Sequence, residues 1–292
     1  MNETEIKALL SLLEDPDEKI SSQISEKILS LGIEVIPKLE LHWESTFDAF
    51  VQKKIETLIH QIQFDNIVKA LSIWSTIGTQ DLLQGAILIA KYQYPDLNED
   101  KIKTHLDLIR QDTWLELNPR LTVLEKIKVL NHILFEIHGF GGNTTNYHSP
   151  TNSYINNVLE TKKGNPLSLS IIYCIIAQSL DIPIFGVNLP EHFIVCYQDL
   201  KHEIPTSLIN SNRIYFYINP FSKGSIFGQN DIDTFLKQIN RTPEKQFYEP
   251  CSNLDIMIRL LNNLILSYEK LGIVEKVREL KILQKTIQSG SN

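Results

Sequence analysis

Apolar positions recur at helical spacing from the first residues of the chain. Ile6, Leu9, Leu10 and Leu13 fall at i, i+3, i+4 and i+7, one face of a helix. The run "EDPDEK" then reads as a second helix start. Asp15 is placed to cap, Pro16 suits the first helical position, and Glu18 completes a capping box. Ile20, Ile24 and Ile28 carry the face that follows, and Gly32 ends it. A further helical pair is predicted over "EVIPKLELHWE" and "DAFVQKKIETLIHQIQF". Residues 66–140 continue in the same way. "LLQGAILIAKYQ" is apolar nearly all round and stops before Pro95, which predicts a buried helix. Val123, Ile127, Leu130 and Leu134 carry the last face before Gly139, and the polar loop "GGNTTNYHSPTNS" follows.

The pattern changes after Gly164. Leu167, Ile171, Ile172, Ile175, Ile176 and Leu180 predict a strongly apolar helix for the core. "IPIFGVNL", "HFIVCY" and "RIYFYIN" are rich in β-branched and aromatic residues and predict strands of an antiparallel sheet packed on that helix. The tail "DIMIRLLNNLILSYEKLGIVEKVRELKILQKTI" reads as helix, turn at Gly272, and helix. The expected class is α+β, mostly helical. The expected organisation is a helical region over 1–64, a core domain over 65–245 and a helical hairpin over 246–292.

Composition narrows the function classes. The chain has 292 residues, 42% apolar and 22% charged, enough to bury a substantial core. Its net charge of −7 argues against nucleic acid as a partner. The N-terminus lacks the basic start and longer apolar core of a secretory signal, and no run of about 18 apolar residues predicts a membrane span. Cys174, Cys196 and Cys251 are odd in number and widely spaced, with no zinc or disulfide pattern. A reducing cytoplasm is the expected home, and no cofactor or metal is expected.

The candidate chemistry sits in "GNPLSLS", residues 164–170. Asn165 is a favoured N-cap and Pro166 falls at the first helical position. Ser168 lies in the first turn, near the positive end of a buried helix, an environment that stabilises an oxyanion or a thiolate. The bland reading of Ser168 is a residue that tidies the helix start. His192 opens one predicted strand and Asn219 ends the next. A first-turn nucleophile, a histidine and an orienting amide follow the logic of Ser-His-Asp and Cys-His-Asn sites. Glu160 and Glu191 flank the same region. Cys174, nearly two turns down the helix, and Cys196, roughly 13 Å along a strand from His192, are out of direct reach and read as core.

From about Asp65 onward the chain resembles the bacterial SirB family of the transglutaminase-like superfamily, with its papain-like core. The matching blocks are "LLQGAILIAKYQYPDL", "NYHSPTNSYINNVLETKKGNPLSLSIIYCIIAQSLDIPIFGVNLPEHFIVCY" and "YINPFSKG". In active members of the wider superfamily, a glycine, one residue and a catalytic cysteine open the core helix, and a histidine and an aspartate follow on the next strands. The resemblance puts Gly164 at the glycine, Pro166 at the cysteine, His192 at the histidine and Asn219 at the aspartate. A shift of two residues brings Ser168 to the nucleophile position. The cleft around these residues is expected to draw on Gly164, Asn165, Pro166, Asn152, Tyr154, Glu191 and Tyr217. The N-terminal helices resemble HEAT-type repeats, with an ordinary helical bundle as the alternative, and the tail resembles a tetratricopeptide hairpin.

The missing cysteine favours a non-catalytic binding or regulatory module whose partner is a protein or peptide. Two other readings fit the same residues. One is a hydrolase or acyltransferase that uses Ser168, His192 and Asn219. The other is a helical adaptor with an inert cleft.

Overall fold

The computed structural model describes residues 3–13, 17–76, 80–202, 204–210 and 212–290, which fall into two compact units, 1–73 and 74–292. The first unit holds α1 (Glu3–Leu12), α2 (Glu18–Ser30), α3 (Ile36–Ser45) and most of α4 (Ala49–Thr76). Val51, Ile55, Leu58 and Ile62 form one stripe of α4, and they pack with Ile6, Leu10, Leu13, Ile28 and Leu39 into a core. Asp17 caps α2: its carboxylate accepts from the Lys19 N–H at 2.9 Å, and the helix begins at Glu18. Asp15 and Pro16 lie outside the described residues. Ile20 is 38% exposed, whereas Ile28 is buried. Each four-residue step advances about 40° beyond a full turn, so Ile20 has rotated away from the face that Ile28 buries. No helix among the described residues is long and apolar enough to cross a membrane.

The second unit is built around one apolar helix. Its helices are α5 (Leu82–Gln93), α6 (Glu99–Glu116), α7 (Val123–Asn131), α8 (Ile155–Thr161), α9 (Pro166–Ser179), α10 (Gln229–Gln238), α11 (Asn253–Lys270) and α12 (Val274–Ser289). A π-helical turn, His132–Ile137, extends α7 to the left-handed Gly139. Two residues, Gly141–Gly142 (β1), pair in parallel with Lys163–Gly164 (β2) just before α9. The main sheet contains β3 (Ile184–Val187), β4 (Ile194–Gln198), β5 (Ile214–Asn219) and β6 (Ser225–Phe227), antiparallel in the order β3-β4-β5-β6. The class is α+β and mostly helical, as the sequence pattern predicts.

α9 is buried along its length, from Pro166 to Ala177 with only Ile175 partly open. It packs on β3 and β4 and against α5, α6, α8 and α11. A helix enclosed on all sides needs apolar residues all round, which is why its sequence lacks a polar stripe. The other face of the sheet is covered by Ile232 and Leu236 of α10, packed on Val187, Ile194, Cys196 and Tyr217. β4 begins at Ile194 and not at His192, because Glu191 takes a left-handed φ of 61° and turns the chain into the strand.

α11 is strongly amphipathic. Leu260, Leu261 and Leu264 are fully buried, while Leu266 and Lys270 are exposed. Leu261→Ala is expected to lower stability by about 2–5 kcal/mol, the usual range for such a truncation in a closed core. A urea titration of wild type and variant measures it.

Candidate functional site

The site begins with the local chemistry of the α9 start. Asn165 Oδ1 accepts from the Ser168 N–H at 2.9 Å, and Ser168 Oγ accepts from the Asn165 N–H at 3.0 Å. This is a reciprocal capping box that satisfies two backbone donors. The Ser168 hydroxyl also donates to the Asn165 carbonyl at 3.3 Å. Its hydrogen-bonding capacity is therefore directed at backbone. Gly164 leaves room for it, since a Cβ there would lie 2.6 Å from Ser168 Oγ.

Behind the cap, a buried amide holds the preceding loop. Asn152 Nδ2 donates to the carbonyls of Asn146 (2.7 Å) and Tyr147 (3.1 Å), and its Oδ1 accepts from Asn143 Nδ2. Asn165 Nδ2 donates to Ser153 Oγ at 2.9 Å. The loop thus presents Tyr147 and His148 beside the α9 start.

These elements frame a cleft of about 270 Å³. Asn165, Pro166 and Leu167 contribute the helix start, and Glu191, His192 and Phe193 contribute the approach to β4. Of the expected site residues, the structure brings Asn165, Pro166, Glu191 and His192 together here. Ser168 is buried and is not part of the lining. Gly164 and Asn152 stand behind it. Tyr154 is buried, its hydroxyl 3.1 Å from that of Tyr268. Tyr217 points to the α10 side of the sheet, where its hydroxyl donates to the Tyr248 carbonyl at 2.9 Å. Glu160 is exposed on α8 and does not line the cleft.

Asn219 ends β5 and caps the short turn Pro220–Ser222, its Oδ1 accepting from the Phe221 and Ser222 N–H groups. The turn is anchored from a distance. Asn131 Nδ2 donates to the Gly224 carbonyl at 2.8 Å and its Oδ1 accepts from the Tyr173 hydroxyl at 2.8 Å. Gly224 has a φ of +74°, and a Cβ there would lie 2.1 Å from Asn131 Oδ1, so only glycine fits.

His192 packs between Phe221 and Phe235, each ring centroid 6.4 Å away. Burial lowers its pKa below the ordinary imidazole value; a hydrogen-bonding influence of Asn219 opposes this, and the charge of Arg259 adds to the lowering. Burial thus favours the neutral form of the ring. The cleft offers it no thiol or activated hydroxyl. Cys174 and Cys196 are buried, with thiol pKa values pushed well up, and Cys251 is pushed up to about 12, in each case mainly by burial.

Sequence reasoning missed one wall of this cleft. Arg259, Asn263, Leu266, Ser267 and Lys270 of α11 all line it. They fall at i, i+4, i+7, i+8 and i+11, one stripe of a helix, and that spacing was readable. It passes unnoticed when α11 is treated only as a packing element.

A family model described as the transglutaminase-like superfamily matches residues 100–262, just over half of the chain. The chain belongs to the transglutaminase-like superfamily. Relatives within reach of sequence comparison include a UPF0162 protein of Xylella fastidiosa, 35% identical over 135 residues, 43% of this chain and 46% of that protein. A UPF0162 protein of Buchnera aphidicola is 33% identical over 124 residues, covering 42% of this chain and 41% of its own. Human F-box only protein 21 is 26% identical over 197 residues, 60% of this chain and 31% of that one. The chain thus spans under half the length of these relatives. No solved structure matches it. The superfamily match covers the α9 start, the sheet and the first part of α11, and ends at residue 262, before Asn263, Ser267 and Lys270 of the cleft wall.

Two expectations follow. Ser168→Ala removes one buried half of the capping box and should cost about 1 kcal/mol, read as a lower urea midpoint. For His192, the fold binds the neutral ring, so below about pH 6.5 the unfolded chain takes up protons first and stability drops with falling pH. His105 is also held below its usual value, chiefly by burial, and contributes in the same direction. His192→Gln should therefore flatten, without abolishing, the loss of stability between pH 7 and 5 in a series of urea titrations.

Proposed function

We propose that this protein is a non-catalytic binding module, which uses the cleft at the α9 start to hold a protein or peptide. One observation carries this reading: the cleft presents Pro166 where the resemblance puts a nucleophile, and the nearby Ser168 hydroxyl is committed to the backbone of Asn165. Proline has no nucleophilic atom, and a serine needs a free hydroxyl and an adjacent base. A serine hydrolase or acyltransferase would use His192 as base and Asn219 to orient it. In the binding reading they stiffen the cleft wall instead. The module is a SirB-type protein, with residues 1–64 as a helical flank, 65–245 as the superfamily core and 246–292 as a hairpin that completes the cleft. Its three unpaired cysteines suit a reducing, cytoplasmic setting.

An acyl-directed serine probe such as a fluorophosphonate, followed by intact-mass analysis, tests the reading. No adduct is expected on the full chain. An adduct that maps to Ser168 and disappears in Ser168→Ala would establish the serine enzyme and end the binding-only account.

A further inference from the structure

The charge distribution in the cleft is unusual for a chain of net charge −7. Arg259 and Lys270 line it with Glu191 as the sole carboxylate, leaving a surplus of one positive charge when the histidines are neutral. Arg259 is half-buried. Its Nη1 donates to Asn188 Oδ1 at 3.2 Å, and among the described residues no carboxylate lies within ion-pair distance of it. A guanidinium withdrawn from water without an anion is unfavourable, and its planar fork matches a carboxylate. Among the described residues, Lys270 meets His148 Nε2, at 2.9 Å, and no carboxylate.

A second donor belongs to the same lining. Pro166 has no N–H, and the Ser168 N–H is taken by Asn165. Between them the Leu167 N–H, a first-turn donor without an intrahelical partner, belongs to a residue that lines the cleft. First-turn donors are left open by helix geometry, so this one is available to an acceptor in the cleft.

We propose that the cleft receives the C-terminal carboxylate of a peptide. Arg259 and the Leu167 amide hold the carboxylate, Lys270 supports the negative end, and an apolar last side chain lies against Leu167, Phe193 and Leu266. A volume of about 270 Å³ falls just under the roughly 300–1,000 Å³ of small-ligand pockets, which suits a chain end better than a folded surface. A phosphate dianion would exceed the single surplus charge and face Glu191. This inference rests on the binding reading above and specifies its ligand.

The test is fluorescence polarisation on the full chain. The probes are short dye-labelled peptides varied at the last residue, each made as a free acid, as a C-terminal amide, and as an amide carrying an internal glutamate. Free acids with an apolar last residue are expected to bind. Amidation and Arg259→Gln should each weaken binding by about tenfold or more, the scale of a lost charge-assisted hydrogen bond. Lys270→Gln, at an exposed position, should weaken it less and leave the melting temperature unchanged. Absence of binding by any free acid overturns the proposal, as does an unchanged affinity in both variants. Equal binding of the glutamate-bearing amides assigns the site to side-chain carboxylates and overturns the chain-end proposal. Equal binding of plain amides overturns the carboxylate assignment while leaving the binding reading intact, since only serine labelling bears on that.

Discussion

The arrangement depends on the reciprocal cap between Asn165 and Ser168. A helix enclosed along most of its length cannot leave to water those first donors that face away from the cleft, so they must be satisfied from within. Two short side chains do this, and they fix where the backbone turns from β2 into α9. That turn in turn fixes how the Asn152 loop meets the helix, because Asn165 reaches Ser153 with the rest of its amide. Gly164 is part of the same device, since the Ser168 hydroxyl occupies the space where a side chain would begin. Gly164, Asn165 and Ser168 thus each have a structural role at the α9 start.

Much of the fold was legible because its periodicities are strong. The all-round apolar pattern of α9 and the β-branched and aromatic runs of β3, β4 and β5 both specify burial, and the structure buries them. The cap of α2 is Asp17, one of several acceptable caps in "EDPDEK", and local propensity does not choose among them. β6 and the β1–β2 pair escaped notice for another reason. Segments of two or three residues carry no period, and they exist only because tertiary contacts bring their partners alongside.

The site was half legible. Asn165, Pro166, Glu191 and His192 lie within 30 residues of one another and are read from a single stretch. Arg259 and Lys270 are distant in sequence, and only the packing of α11 on α9 brings them to the cleft. Tyr217 illustrates the converse error. It alternates correctly along β5, yet its face of the sheet belongs to α10, so strand parity alone could not say which layer it meets.

The wall provided by α11 ties cleft and hairpin into one equilibrium. α11 pairs with α12, and the buried Leu261 that helps seat it lies on the side of the helix opposite the cleft residues. Any ligand that bridges α9 and α11 adds its binding free energy to the docking of that hairpin, and a firmly docked hairpin returns the same amount to the ligand. The C-terminal helices are in this sense a reporter of occupancy: their amide-exchange protection should rise and fall with whatever fills the cleft.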